Sequence, residues 1–187
     1  YYCLDWHEHF GKLYDQLEDA QPFAATPPNI YRYVFPNLKQ FVFPCGVSPY
    51  SGDTKIPFFN GEALYDCSWS LYASPHLDRI KKSLAIQREY ADCFASSRPV
   101  PEVETLQQQV HANRFPGEGR TAWTLFNARY TTVRGPVLSV ELHEDATYYD
   151  IWNDVPLEPD IINGKAILSQ TLHPQQLGCV VQVWKQD

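Results

Sequence analysis

At 187 residues the chain has room for one large domain or two small ones, and its composition, 44% hydrophobic and 20% charged, is that of a folded protein. A net charge of −7 without a basic patch argues against nucleic acid, whose phosphates need clustered Lys and Arg, and against an anionic membrane surface. No apolar run approaches the roughly 18 residues of a membrane helix.

Aromatic residues make up 14% of the chain, with 12 Tyr and 5 Trp, and there are 15 prolines. Planar faces with a polar tip suit sugar-binding clefts, and they equally suit cores and interfaces. The five cysteines (Cys3, Cys45, Cys67, Cys93, Cys179) are dispersed and never form a C-x-x-C pair. That excludes a dense disulfide framework and a zinc ribbon. Buried free thiols are expected, with one disulfide left open. The chain opens Tyr1-Tyr2-Cys3-Leu4-Asp5, without the charged and apolar regions of a signal peptide, and methionine is absent throughout. It reads as a fragment of a longer reading frame.

In chain order, Tyr1 to Leu4 reads as the end of a strand and Trp6 to Leu17 as a short helix. Leu17 to Pro28 is a polar, proline-bearing loop. Ile30 to Phe35 and Phe41 to Phe43 are short apolar runs, fitting buried strands or helical turns at a sheet edge. Cys45 to Pro57, with two glycines and two prolines, reads as a loop.

A long amphipathic helix is expected from Leu77 to Ser96. Ser74 stands as its N-cap and Pro75 at its first position. Leu77, Ile80, Leu84, Ala91, Phe94 and Ala95 fall on one face.

Ser97 to Gly119 reads as a boundary region. Beyond it the period becomes two, with strands at Trp123–Ala128, Val137–Leu142, Thr147–Trp152, Ile161–Ile162, Lys165–Leu172 and Cys179–Trp184. Asn163-Gly164 marks a two-residue hairpin, and Gly135-Pro136 and His173-Pro174 mark further turns. The expected fold class is α+β: a part over 1–115 carrying the long helix, then an all-β antiparallel domain over 116–187, a sandwich or a small barrel by its strand spacing.

Several segments carry a family resemblance: Trp123-Thr124-Leu125-Phe126-Asn127-Ala128, Gly135-Pro136-Val137-Leu138, Tyr149-Asp150-Ile151-Trp152-Asn153, Asn163-Gly164 and Leu172-His173-Pro174. Together they resemble the C-terminal β-sandwich that follows the (β/α)8 barrel in many glycoside hydrolases. Upstream, Arg32-Tyr33-Val34-Phe35-Pro36, Phe58-Phe59-Asn60-Gly61-Glu62 and the helix from Leu77 look like the last strands and final helix of such a barrel. The resemblance implies a truncated barrel end over 1–115, a structural or accessory sandwich, and a glycan or glycoside substrate cleaved at its O-glycosyl bond. The alternative is a non-catalytic carbohydrate-binding or protein-interaction module.

Glycoside hydrolysis needs a pair of carboxyl groups, one to protonate the leaving oxygen and one to attack or to activate water. In a barrel these stand at the C-terminal ends of strands. Asp5, after the apolar start, and Glu62, beside Gly61, are the catalytic candidates. Helix capping or simple solvation is the competing role for Asp5, and a surface loop for Glu62. Asp15 and Asp66, each next to a tyrosine, are candidates to hydrogen-bond sugar hydroxyls. Trp6 and Trp69 either stack on a pyranose face or pack in the core. Arg32 either holds a carboxylate in place or forms a salt bridge in the barrel wall.

His7-Glu8-His9 lacks the i, i+4 spacing that puts two histidines on one helical face. No P-loop, dinucleotide fingerprint or G-x-S-x-G elbow occurs, so no cofactor or metal is called for. Oligomeric state and compartment stay open, an extracellular or periplasmic location requiring a signal peptide on the parent chain.

Overall fold

The structure, a computed structural model, describes residues 2–4, 29–38, 40–42, 52–64 and 77–184. Strands β1 (Tyr2–Leu4), β2 (Gln40–Val42) and β3 (Ala63–Leu64) form one parallel sheet in chain order, with Tyr2 opposite Gln40 and Phe41 opposite Ala63. Parallel neighbours require crossovers. Helix α1 (Ile30–Val34) lies in the first connection and α2 (Gly52–Asn60) in the second.

Both helices correct the sequence expectation. The 30–35 run is indeed a helical turn, but Ile30, Tyr31, Val34 and Phe35 are exposed and Arg32 is the buried residue. Residues 52–57, expected as loop, begin α2. The apolar group Ile56, Phe58 and Phe59 is buried, and that packing outweighs the helix-breaking cost of Pro57. Phe58-Phe59-Asn60, expected near a strand, closes that helix.

The predicted long helix is two helices, α3 (Leu77–Glu89) and α4 (Ala91–Phe94). At Tyr90 the backbone leaves the helical region (φ −108°, ψ 39°). The break swings Cys93 and Phe94 into the core, while Ala91 and Ala95, expected on the apolar face, are exposed. The buried positions of α3 are Ile80, Ser83 and Ile86, with Leu77 and Leu84 half-buried. Ser74 and Pro75 lie outside the described residues.

Eight further strands follow: β4 (Val110–Pro116), β5 (Arg120–Asn127), β6 (Val133–Glu141), β7 (Thr147–Asp150), β8 (Val155–Leu157), β9 (Asp160–Ile162), β10 (Lys165–Leu172) and β11 (Leu177–Val183). They make two antiparallel sheets, β4-β5-β11-β7-β8 and β6-β10-β9. Val110, Ala112, Trp123, Leu125 and Val180 of the first pack with Val137, Leu138, Ala166 and Leu168 of the second, which closes the sandwich.

The five-stranded sheet is covered on its other face as well. Phe115, Phe126 and Cys179 join Ile56, Phe58, Phe59, Ile86, Cys93 and Phe94 in a second core. Hence β5 is buried along nearly its whole length, whereas β10 alternates buried with exposed. Cys93 and Cys179 are buried free thiols in this core, and burial pushes the Cys93 thiol up to about 12.

β4 lies inside the stretch expected as a boundary and pairs with β5 from Val110 to Pro116, so the sheet starts before residue 116. Val100 already bridges to Arg114. The Asn163-Gly164 hairpin forms as expected, both residues at positive φ (51° and 74°) between β9 and β10. Gly135-Pro136 is not a turn. It sits within β6 where the register with β10 shifts, and Gly135 supplies the φ of 99° there. β7 ends two residues before the expected Trp152, because Asp150 Oδ1 accepts from the N–H groups of Trp152 (3.1 Å) and Asn153 (3.0 Å) and turns the chain.

Candidate functional site

Of the six residues expected to act in catalysis or to bind sugar, Asp5, Trp6, Asp15, Asp66 and Trp69 lie outside the described residues. Glu62 is described, and a buried polar cluster surrounds it. It follows α2 through Gly61, whose φ of 67° gives the turn, and its N–H donates to the Pro57 carbonyl (2.8 Å). It stands immediately before β3, at the N-terminal end of that strand. The barrel resemblance expected a catalytic carboxylate at the opposite, C-terminal end.

Asn29 organises the cluster. As N-cap of α1 its Oδ1 accepts from the Tyr31 N–H (3.1 Å). Its Nδ2 donates to Gln40 Oε1 (2.7 Å) on β2 and to Glu62 Oε1. Its own N–H donates to Asn60 Oδ1 (3.3 Å), which also accepts from the Tyr33 hydroxyl (3.2 Å). Gln87 of α3 donates to the Glu62 carbonyl (2.8 Å). One carboxyl thus sits where α1, α2, α3, β2 and β3 meet.

Arg32 is buried beside it and takes neither role expected from the sequence. Nη2 donates to the Phe94 carbonyl (2.6 Å), with the Ser96 carbonyl at 3.5 Å, so the guanidinium closes the C-terminal end of α4. Its Cζ also lies 5.8 Å from the centroid of the Phe115 ring.

Burial dominates the electrostatics. Glu62 is 1% exposed, and loss of hydration pushes its carboxyl up to about 8, against the opposing pull of the Asn29 hydrogen bond and the Arg32 charge. Burial also raises the Tyr33 phenol, with the Glu62 charge adding to it, and lowers the Arg32 guanidinium. Glu62 is therefore protonated at neutral pH. Among the described residues its Oε2 and the nearby Gln40 Nε2 have no hydrogen-bond partner.

A carboxyl with that pKa has the acidity of a general acid. Its side chain is buried, however, and its bonds run to packing elements. Asn29, Gln40, Asn60 and Gln87 were missed by sequence reasoning. Only Asn29 left a signal, a capping residue directly before an apolar run.

No family model matches the chain, and no curated protein matches it. Solved structures do. The α-amylase of Geobacillus thermoleovorans complexed with acarbose is 13% identical with a TM-score of 0.47, covering 73% of this chain and 29% of that one. An Anoxybacillus α-amylase is 12% identical with a TM-score of 0.41, covering 59% and 23%. The trehalose-6-phosphate hydrolase of Bacillus licheniformis is 14% identical with a TM-score of 0.37, covering 62% and 20%. All three are glycoside hydrolases, and the chain spans less than a third of the length of each.

Proposed function

We propose that this chain is the closing segment of an enzyme that hydrolyses O-glycosyl bonds of a glycan or glycoside. In this reading residues 1–96 are the last βα units of a (β/α)8 barrel, and residues 97–187 are a β-sandwich that buttresses them. The observation that carries it is architectural. Three parallel strands follow one another in chain order with helices in their crossovers, and a sandwich follows that shares a core with α2, α3 and α4.

Barrel chemistry stands at the C-terminal ends of the strands. Asp5 follows β1 directly in the sequence and Asp66 lies two residues beyond β3. Asp5 is the carboxyl that acts at the scissile bond, Asp15 and Asp66 hold sugar hydroxyls, and Trp6 and Trp69 stack on the ring. Glu62, at the other end of β3, ties the barrel elements together and takes no part in chemistry. The second carboxyl of the pair comes from upstream strands.

The test is a panel of nitrophenyl glycosides, offered both to the 187-residue chain and to the full product of its reading frame. Turnover is expected only from the longer protein, with Asp5→Asn lowering kcat by roughly 10²–10⁴-fold and Glu62→Gln leaving it intact. Turnover by the 187-residue chain alone refutes the segment reading, and full activity in Asp5→Asn removes Asp5 from the chemistry.

A further inference from the structure

Arg32 and Glu62 are both buried and each acts on the other's charge, yet no ion pair joins them. Glu62 Oε1 accepts from Asn29 Nδ2, while Oε2 has no hydrogen-bond partner. Arg32 Nη2 donates to the Phe94 carbonyl (2.6 Å). Both terminal nitrogens reach the Ser96 carbonyl only at 3.5 Å, the outer limit of a hydrogen bond. One strong bond therefore anchors the guanidinium to the end of α4.

A cleft of about 320 Å³ borders both sets of contacts. Arg32 and Phe94 line it. So do Gly61 and Ala63, the chain neighbours of Glu62, and Gln87, the donor to its carbonyl. The cleft gives the guanidinium room to turn on its flexible side chain.

While Glu62 holds its proton, the Phe94 carbonyl is the better acceptor for Arg32. Ionisation reverses this. A buried carboxylate with an unpartnered oxygen is costly until a cation pairs with it. A guanidinium also bonds a carboxylate more strongly than it bonds a neutral carbonyl. Few other groups bear on Glu62 among the described residues. α1 brings Arg32 and Tyr33, whose phenol burial keeps protonated. α2, β2 and α3 bring Asn60, Gln40 and Gln87, which do not titrate.

We propose that Arg32 is a pH-operated latch, bound to the Phe94 carbonyl while Glu62 is neutral and re-paired with Glu62 Oε2 once that carboxyl ionises. The consequence falls at the junction with the sandwich. Ser96 stands two residues past α4, and Val100 already bridges to Arg114 of β4. Above the Glu62 transition the end of α4 loses its tie to α1, which frees the segment by which the chain enters the sandwich. The latch rests on contacts within this chain and not on the glycosidase reading, so the failure of either leaves the other standing.

NMR of the labelled 187-residue chain from about pH 6 to about pH 10 tests it. The carbonyl-carbon shifts of Phe94 and Ser96 and the guanidinium nitrogen shifts of Arg32 are expected to move together. Their midpoint is that of the Glu62 carboxyl carbon, near pH 8. Glu62→Gln is expected to hold all of them at their low-pH values. Glu102→Gln, which removes the carboxylate acting on Tyr33, is expected to leave the midpoint unchanged. Flat Phe94 and Ser96 shifts while Glu62 titrates overturn the proposal, as does the absence of any Glu62 titration in this range. Movement that persists in Glu62→Gln, or a midpoint that follows Glu102→Gln, overturns it equally. So does a Phe35 amide, bonded here to the Tyr31 carbonyl, that begins to exchange with the same midpoint, because Glu62 would then gain water by the opening of α1.

Discussion

Gly61 and Phe115 are in contact across the junction of the helical part and the sandwich. A Cβ on Gly61 would lie 2.6 Å from Phe115 Cε1 and 3.2 Å from Phe94 Cδ1. The same glycine holds φ at 67°, so two independent constraints, backbone conformation and space, exclude a side chain there. The turn that delivers Glu62 into its polar cluster therefore depends on the aromatic core beneath it. Gly61→Ala is expected to destabilise the fold by about 2–4 kcal/mol, combining the left-handed backbone cost with overpacking. A urea titration that finds less than about 0.5 kcal/mol would show that Phe115 has room to move.

Glu62 gives the chain a pH-dependent stability with a definite sign. Its carboxyl sits at about 8 in the fold against a usual value of 4.5, so between these values the fold holds a proton that the unfolded chain has released. Stability is full below about pH 4.5, falls as pH rises toward 8, and levels off above it. Glu62→Gln keeps the shape and the acceptor for Asn29 and removes the titration. The variant is expected to be more stable than the parent at pH 8, by an amount on the order of a few kcal/mol, and equal to it near pH 4. Melting curves of both proteins across this range check it. Parallel pH profiles would mean that Glu62 is ionised in the fold.

Truncations at Ile86 and Leu84 on α3 separate the observed packing from the sequence-based face. Ile86 is 6% exposed and lies in the core shared with Phe58 and Phe126, whereas Leu84 is half-buried. Ile86→Ala is expected to cost about 2–5 kcal/mol and Leu84→Ala about 1 kcal/mol. Chemical denaturation of the two variants measures both, and the reverse order would restore the face expected from the sequence.

The sandwich should not survive a cut at residue 120. β4 covers β5, and its loss leaves β5 as an edge with unpaired backbone and an apolar row exposed. A fragment of residues 97–187 is expected to show a cooperative thermal transition by circular dichroism, and one of residues 120–187 to aggregate or lack it. A folded 120–187 fragment would show that β4 is dispensable.

Asp92 of α4 accepts from Arg120 Nε (3.1 Å) on β5 and from the Glu118 N–H (3.1 Å), and the Arg120 hydrogen bond holds its carboxyl below the usual range. Both side chains are near 30% exposed, so water and salt screen the pair. Asp92→Ala is expected to cost about 1 kcal/mol at neutral pH, with the difference shrinking as pH falls below the carboxylate range and as salt is added. A difference that is constant in both pH and salt would assign the loss to packing.

The sequence alone determined what local chemistry controls. Asn163-Gly164 makes its hairpin because both residues tolerate positive φ, the alternation of Lys165–Leu172 places one face in the sandwich core, and the period of Leu77 to Glu89 is helical. Tertiary structure decided the rest. β4 hides among prolines and glycines and is a strand because β5 offers it a partner. Pro57 sits in a helix because Ile56, Phe58 and Phe59 are buried against the five-stranded sheet. Asp5 stays a candidate by its place in the sequence, one residue after β1. Glu62 looked the same, an acid beside a glycine after an apolar run. Its protonated state arises from burial, which outweighs the opposing pull of Asn29 and Arg32; these and Gln87 lie 33, 30 and 25 residues away along the chain and meet it only when α1 and α3 close over the sheet. Long-range burial sets such a pKa, and no local pattern carries it.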